Sequence, residues 1–144
     1  MTIRRWKYED ILRISEIEKE CFPGEAWSFQ MLASSFETQA FTGIVAEDGN
    51  DIAGYGGITV AADSADVGNI AVTENYRNCG AGTAILNELC SVAKSQGVKT
   101  VFLEVRVSNS PAISLYLKNG FAGKYARLRY YPDGEDCLVM AKEL

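Results

Sequence analysis

The hydrophobic positions fall into segments of two different periods. After a short first strand near Ile3, residues Ile11, Ile14, Ile17 and Cys21 recur at three- and four-residue spacing, the mark of a helix with one buried stripe, and Pro23-Gly24 ends it. Ser28 is placed to cap a second short helix in which Phe29, Leu32 and Phe36 share a face. The period then drops to two. Residues 41–46 and 52–60 read as strands joined by Glu47-Asp48-Gly49-Asn50, where Asp-Gly signals a hairpin, and a turn around Asp63-Ser64 leads into a strand over 66–72.

Helical spacing returns over 83–96, where Ile85, Leu86, Leu89, Cys90 and Ala93 form one stripe and Gly97 occupies the C-terminal cap. Residues 100–107 alternate, with Val101, Leu103, Val105 and Val107 on one face and Phe102, Glu104 and Arg106 on the other. Asn109-Ser110-Pro111 opens a further helix, which Asn119-Gly120 closes, and two last strands over 122–131 and 136–142 flank Pro132-Asp133-Gly134. The order is β-α-α-β-β-β-α-β-α-β-β. Hairpins come first and a strand-helix-strand crossover follows, which predicts one α/β (α+β mixed) domain over 1–144, with a mixed sheet and helices on both faces.

Composition narrows the chemistry. The chain has 144 residues, a net charge of −5 and no histidine. A Ser-His or Cys-His nucleophile pair, a His-ligated zinc and an imidazole acid or base are therefore excluded. The acidic balance weighs against nucleic acid, whose binders carry a basic face. Cys21, Cys79, Cys90 and Cys137 form no CxxC pair and read as free thiols of a reducing cytoplasm, with no metal expected. The N-terminus has no apolar core of a signal peptide, and no apolar run approaches the ~20 residues of a membrane span, so a soluble, cytoplasmic protein is expected.

One segment points to a ligand. Arg77-Asn78-Cys79-Gly80-Ala81-Gly82-Thr83 lies between a strand and the start of an amphipathic helix. The glycines let backbone approach a bulky anion, the first-turn N–H groups lack partners, and Arg77 can add charge, which together make a pyrophosphate cradle. On glycine content alone, a turn that binds nothing is an equal reading. Gly82 is followed by Thr83-Ala84 rather than Lys-Ser/Thr, which excludes a P-loop, and position 85 is Ile rather than the glycine of a dinucleotide fingerprint.

The same segment matches the Arg/Gln-x-x-Gly-x-Gly/Ala signature of the GNAT acetyltransferases, and further stretches agree in order: Cys21-Phe22-Pro23, Trp27-Ser28, Asn69-Ile70-Ala71-Val72, Leu103 through Asn109, Ser114-Leu115-Tyr116, Asn119-Gly120-Phe121 and Arg129-Tyr130-Tyr131-Pro132. Over nearly its whole length the chain resembles the bacterial ribosomal-protein alanine N-acetyltransferases of the RimI type. The resemblance implies a GNAT fold with a central parallel strand pair and acetyl-CoA as co-substrate. It further implies that Ile70, Ala71 and Val72 pair with the pantetheine arm and acetyl group. Arg77, Asn78, Cys79, Gly80, Ala81, Gly82 and Thr83 would hold the pyrophosphate, and Asn109 would touch the cofactor. Glu104 matches the general base, Tyr116 the general acid, and Trp27, Tyr130 and Tyr131 the acceptor-peptide site. Cys79 stands where many relatives carry arginine or lysine, which takes one positive charge from the loop.

The implied chemistry is compatible with a chain that lacks histidine. A free α-amine of pKa ~7.7–8.0 is partly neutral near pH 7, whereas a lysine amine near ~10.4 is not. A carboxylate can take its proton directly or through water, and a phenol can serve the leaving thiolate. The expected acceptor is the N-terminal alanine of a ribosomal protein, whose basic tail suits the acidic surface. A lysine or small amine as acceptor, and a non-catalytic acyl-CoA-binding module, are the alternatives.

Overall fold

The computed structural model describes residues 1–144. Its strands are β1 (Thr2–Arg5), β2 (Phe41–Asp48), β3 (Asp51–Ala61), β4 (Ser64–Val72), β5 (Thr100–Arg106), β6 (Ala122–Arg127) and β7 (Cys137–Glu143), and its helices are α1 (Ile11–Cys21), α2 (Phe29–Glu37), α3 (Ala81–Ser95) and α4 (Ser110–Lys118). The element order is the predicted one. One sheet contains all seven strands, in the spatial order β1-β2-β3-β4-β5-β7-β6. Every neighbouring pair is antiparallel except β4 with β5.

Side-chain alternation divides the apolar residues between the two faces. Ile44 and Ala46 of β2 join Ile58, Leu103 and Met140 in a core with Ile85, Leu86 and Leu89 of α3 and Tyr116 of α4. Val45, between them in sequence, belongs to the other core, with Ile11, Ile14 and Ile17 of α1 and Leu32 of α2. α3 lies very close to the sheet. A Cβ added at Gly56 would come 2.7 Å from Ile85 Cγ2, so only glycine lets the helix settle there. α2 is lightly anchored: Ser28 Oγ accepts from Met31 N at 3.2 Å as expected, but Leu32 alone of its residues is fully buried.

Several boundaries differ from the expectation by a residue or two, and two of the differences bear on the site. α3 begins at Ala81 rather than Thr83, because Gly80 adopts φ +86° as its N-cap and Gly82 is taken into the first turn. β6 stops at Arg127, so Tyr130 and Tyr131 are not in a strand. Arg129 turns the chain at φ +49°, and the Tyr130 and Tyr131 N–H groups both donate to Glu135 O, closing a loop.

The parallel pair matters most for function. β4 and β5 are paired only from Ser64 with Thr100 to Asp66 with Phe102. Immediately beyond, β4 bulges: Ile58 pairs with Val67 and Gly56 with Ile70, so Gly68 and Asn69 oppose the single residue Gly57. A bulge bends its strand and adds twist. β4 thereby leaves β5, and a wedge opens in the middle of the sheet.

Tyr116 packs at the base of this region with its ring centroid 6.0 Å from that of Phe121. Burial pushes its phenol from the ordinary 10 up to about 12. The folded state thus holds this proton more tightly than the unfolded chain. The contribution is whole below the unfolded value and is lost as pH rises through the folded one. Relative to wild type, the Tyr116→Phe protein should gain about 2–3 kcal/mol in unfolding free energy between about pH 9 and pH 12, measured by urea titration. Parallel pH curves for the two proteins would mean that the ring is solvated.

Candidate active site

The wedge presents unpaired backbone on its β4 side. Thr73 N donates to Ala53 O at 2.8 Å, which fixes the phase of the antiparallel ladder. Alternation then turns the Ala71 amide toward its partner Tyr55 and leaves those of Ile70 and Val72 directed at the wedge. Val72 O, at the mouth, accepts from Arg77 Nε at 3.1 Å and from the Cys21 thiol at 3.6 Å. Arg77 is therefore held at the end of β4 beside the groove.

Beyond Arg77 the glycine loop brings in α3. Asn78 at φ +62° and Gly80 at φ +86° reverse the chain within three residues. No side chain caps the helix, and its first backbone bond runs from Ala84 N to Gly80 O. The N–H groups of Gly82 and Thr83 find no acceptor in the chain. Fifteen residues of α3 add their dipole to these open donors.

The wedge and the loop are two walls of one groove of about 860 Å³. Ile70, Ala71, Val72, Arg77, Asn78, Gly80, Ala81, Gly82, Thr83, Asn109 and Tyr116 all line it. Cys79 does not; its exposed thiol donates to Tyr76 O. Asn109 occupies the N-cap of α4, where its Oδ1 accepts from Ala112 N at 3.2 Å, so its carboxamide is tied to the helix while bordering the groove. Tyr116, 7% exposed, lies on the same wall. Pro111, Ser114, Leu115 and Lys118 belong to the groove as well, and their helical spacing on α4 could have marked that face from the sequence. Arg77 and Lys118 are its charged side chains, and no carboxylate lines it.

The other four predicted site residues, Glu104, Trp27, Tyr130 and Tyr131, are not in the groove. Glu104 alternates with Leu103 and Val105, which belong to the α3 core, and so faces the opposite side of β5. Its side chain is 40% exposed; Oε2 accepts from Arg127 Nε at 3.0 Å and Oε1 from the Tyr130 hydroxyl at 3.2 Å. The charge of Glu104 pushes the Tyr130 phenol up, so that phenol stays a donor. Two residues along the same face, Arg106 binds Asp133 and Glu135 of the β6–β7 loop and Glu25 of the α1–α2 segment, and its guanidinium lies 4.1 Å from the Tyr131 ring centroid. Asp66 is near enough to Glu104 that burial and this second carboxylate raise its pKa. The sequence reading did not single out Arg106 as the tie between the two loops. No sequence spacing could have revealed it, because its partners come from positions 25, 133 and 135.

Charge is thus sorted across the sheet. One side of the wedge offers N–H donors and two cations without a carboxylate, and the other offers Glu104, Asp66 and the carboxylates gathered on Arg106.

Known proteins agree with this architecture. The acetyltransferase (GNAT) family matches residues 11–121. The chain is 36% identical over 118 residues to the [ribosomal protein bS18]-alanine N-acetyltransferase of Escherichia coli K12, covering 80% of this chain and 79% of that one. It is 33% identical over 155 residues to an N-alpha-acetyltransferase of Sulfurisphaera tokodaii, covering 99% and 92%. The crystal structure of the E. coli ribosomal-protein-S18-alanine N-acetyltransferase superposes with a TM-score of 0.90 at 33% identity, covering 99% of this chain and 92% of that one. Together with the wedge, the open helix start and the groove, these matches show that the chain belongs to the GNAT acetyltransferase family and is an N-acetyltransferase of the RimI-like group.

Proposed function

We propose that residues 1–144 act as one acetyltransferase domain that moves the acetyl group of acetyl-CoA to a protein's N-terminal α-amine, that of an alanine-starting ribosomal protein, in the cytoplasm. The sorting of charge across the wedge carries this reading. A polyanionic cofactor suits the groove that has open N–H donors and no carboxylate, and a cationic N-terminus suits the carboxylate-bearing face opposite. The related enzymes of E. coli and S. tokodaii, by their names an alanine N-acetyltransferase and an N-alpha-acetyltransferase, support an α-amine as acceptor. The four cysteines are all free, as suits a reducing compartment.

The position of each group supports a role for it. Gly80, Ala81, Gly82 and Thr83 hold the pyrophosphate with backbone N–H groups, beside Arg77 and Asn78, while Cys79 contributes backbone alone. Ile70 and Val72 pair their wedge-facing amides with the pantetheine arm and polarise the acetyl carbonyl as charge develops on its oxygen. Asn109 borders the cofactor from the start of α4. Trp27, Tyr130 and Tyr131 flank the acceptor, and Glu104 receives the amine proton. Both Glu104 oxygens already accept a hydrogen bond, so a bridging water relays that proton to a remaining lone pair.

Nitrogen attacks the thioester carbon, the C–S bond breaks, the nitrogen gives up one proton, and the sulfur gains one. Tyr116 serves the sulfur in a particular way. A phenol raised to about 12 is a much weaker acid than a thiol of pKa ~8.5, so full transfer from Tyr116 is uphill by about 5 kcal/mol. Tyr116 instead donates a hydrogen bond that lowers the energy of the departing thiolate; the sulfur takes its proton from water as coenzyme A leaves, and Glu104 returns the amine proton to water, so the count closes.

Competition between an alanine-starting peptide, an N-blocked lysine peptide and a polyamine tests the acceptor: the first should be consumed fastest, and preference for either other amine overturns the reading, as does tight binding of coenzyme A without turnover. Tyr116→Phe should lower kcat about 100-fold or more while leaving the peptide KM nearly unchanged, and full turnover would remove Tyr116 from the chemistry. Glu104→Gln should lower kcat/KM for the peptide about tenfold or more, and an unchanged kcat/KM would send the proton by another route.

A further inference from the structure

Glu18 is a carboxylate at 0% exposure on α1 with no cation bonded to it. Burial raises its pKa, and two N–H donors partly offset that effect. Nothing in the acetyl-transfer chemistry uses it, and an apolar side chain of similar size would fill the space without desolvating a charge. Both of its partners lie at the acceptor side. Oε2 accepts the backbone N–H of Trp27 at 3.1 Å, and Oε1 accepts Asn69 Nδ2 at 2.8 Å. Asn69 is one of the two residues of the β4 bulge, directly before Ile70.

A small void of about 10 Å³ adjoins this cluster, bounded by Glu18, Trp27, Asn69 and Tyr55 among others. The Tyr55 hydroxyl, on a residue 4% exposed, is the one buried side-chain polar atom without a partner. The carboxylate therefore takes hydrogen bonds from two separate elements, the α1–α2 segment and the bulge, while Tyr55 of β3 borders the same void. Backbone pairing of Ile70, Ala71 and Val72 with β3 fixes the rest of β4 without help from Glu18. The segment that carries Trp27 has no strand neighbour.

We propose that Glu18 is a positioning residue that sets the distance between the Trp27 segment and the β4 bulge, and thereby the width of the acceptor path. Its kinetic consequence rests on the α-amine acceptor proposed above; its structural consequence does not. Two substitutions separate hydrogen bonding from charge and from mere packing. Glu18→Met fills the volume and removes both acceptors. Glu18→Gln keeps one acceptor for Trp27 N–H and, with the Asn69 amide turned over, regains the second bond.

Amide exchange of Trp27 in the full chain reads the structural arm: about tenfold faster in Glu18→Met and close to wild type in Glu18→Gln. Peptide kinetics read the second arm: the peptide KM rises about tenfold in Glu18→Met, kcat and the KM for acetyl-CoA stay within about threefold, and Glu18→Gln restores the wild-type value. Should Glu18→Met not fold, Asn69→Ala, which leaves Trp27 its partner and frees only the bulge, should raise the peptide KM about threefold or more. Unchanged Trp27 exchange in a folded Glu18→Met protein overturns the proposal, as does a fall in kcat and a rise in both KM values together. If the wild-type protein acetylates no α-amine, the acceptor reading fails, and the exchange data alone judge Glu18.

Discussion

The site depends on a pairing that stops. Adjacent parallel strands in a sheet normally satisfy each other's amides along their shared length. Here the ladder between β4 and β5 ends at Asp66 with Phe102, and two residues later the Gly68–Asn69 bulge turns β4 aside. Open amide edges within a fold are costly unless something pairs with them. The chain accepts that cost at one place, where the amides of Ile70 and Val72 can pair with an extended ligand much as a missing strand would. β3 makes this possible, because it continues to pair with β4 on both sides of the bulge and keeps the open edge rigid. α3 secures β3 in turn through its close approach at Gly56.

The same divergence separates the sites proposed for the two substrates. A break in the middle of a sheet joins its faces, so a cofactor lying along one side can be reached from the other. α3 starts at the end of β4 and delivers its unfilled N–H groups to the first side. β5 alternates, so Leu103 and Val105 pack beneath α3 while Glu104 and Arg106 face away from it. Charge sorting therefore needs no special loop. It follows from strand alternation at β5 and helix polarity at α3. Arg106 then joins the α1–α2 segment to the β6–β7 loop across the acceptor side, through carboxylates far apart in sequence.

The order of elements was legible because each apolar segment keeps one period throughout. The glycine loop is legible as a motif, but the helix start is not: Ala81, the first buried residue of α3, has too small a side chain to mark the stripe, which stands out only from Ile85. The last hairpin is shorter than its sequence suggests, since β6 is exposed along its whole length and has no alternation to mark its end. The backbone part of the cofactor groove was readable as a motif in register, whereas the acceptor side was readable only as scattered aromatics. Its geometry comes from long-range ion pairs and from the buried Glu18, which at helical spacing beside Ile14 and Ile17 gives no sign that its carboxylate reaches Asn69.

Tyr116 shows how fold and chemistry constrain each other. The residue is a core side chain that closes the α3 core beneath α4, and the burial that suits it to the proposed hydrogen bond weakens it as an acid. A solvated phenol near 10 would transfer its proton to a thiolate more readily, but it would also lie in water, where a hydrogen bond to sulfur is worth little. A buried one, raised to about 12, keeps its proton far above neutral pH and offers a fixed dipole in a dry place. Catalysis by a positioned donor requires no reorganisation when the C–S bond breaks. In the proposed reaction, a chain without histidine can therefore leave proton acceptance to a carboxylate in contact with water, and thiolate stabilisation to a phenol that stays protonated near neutral pH.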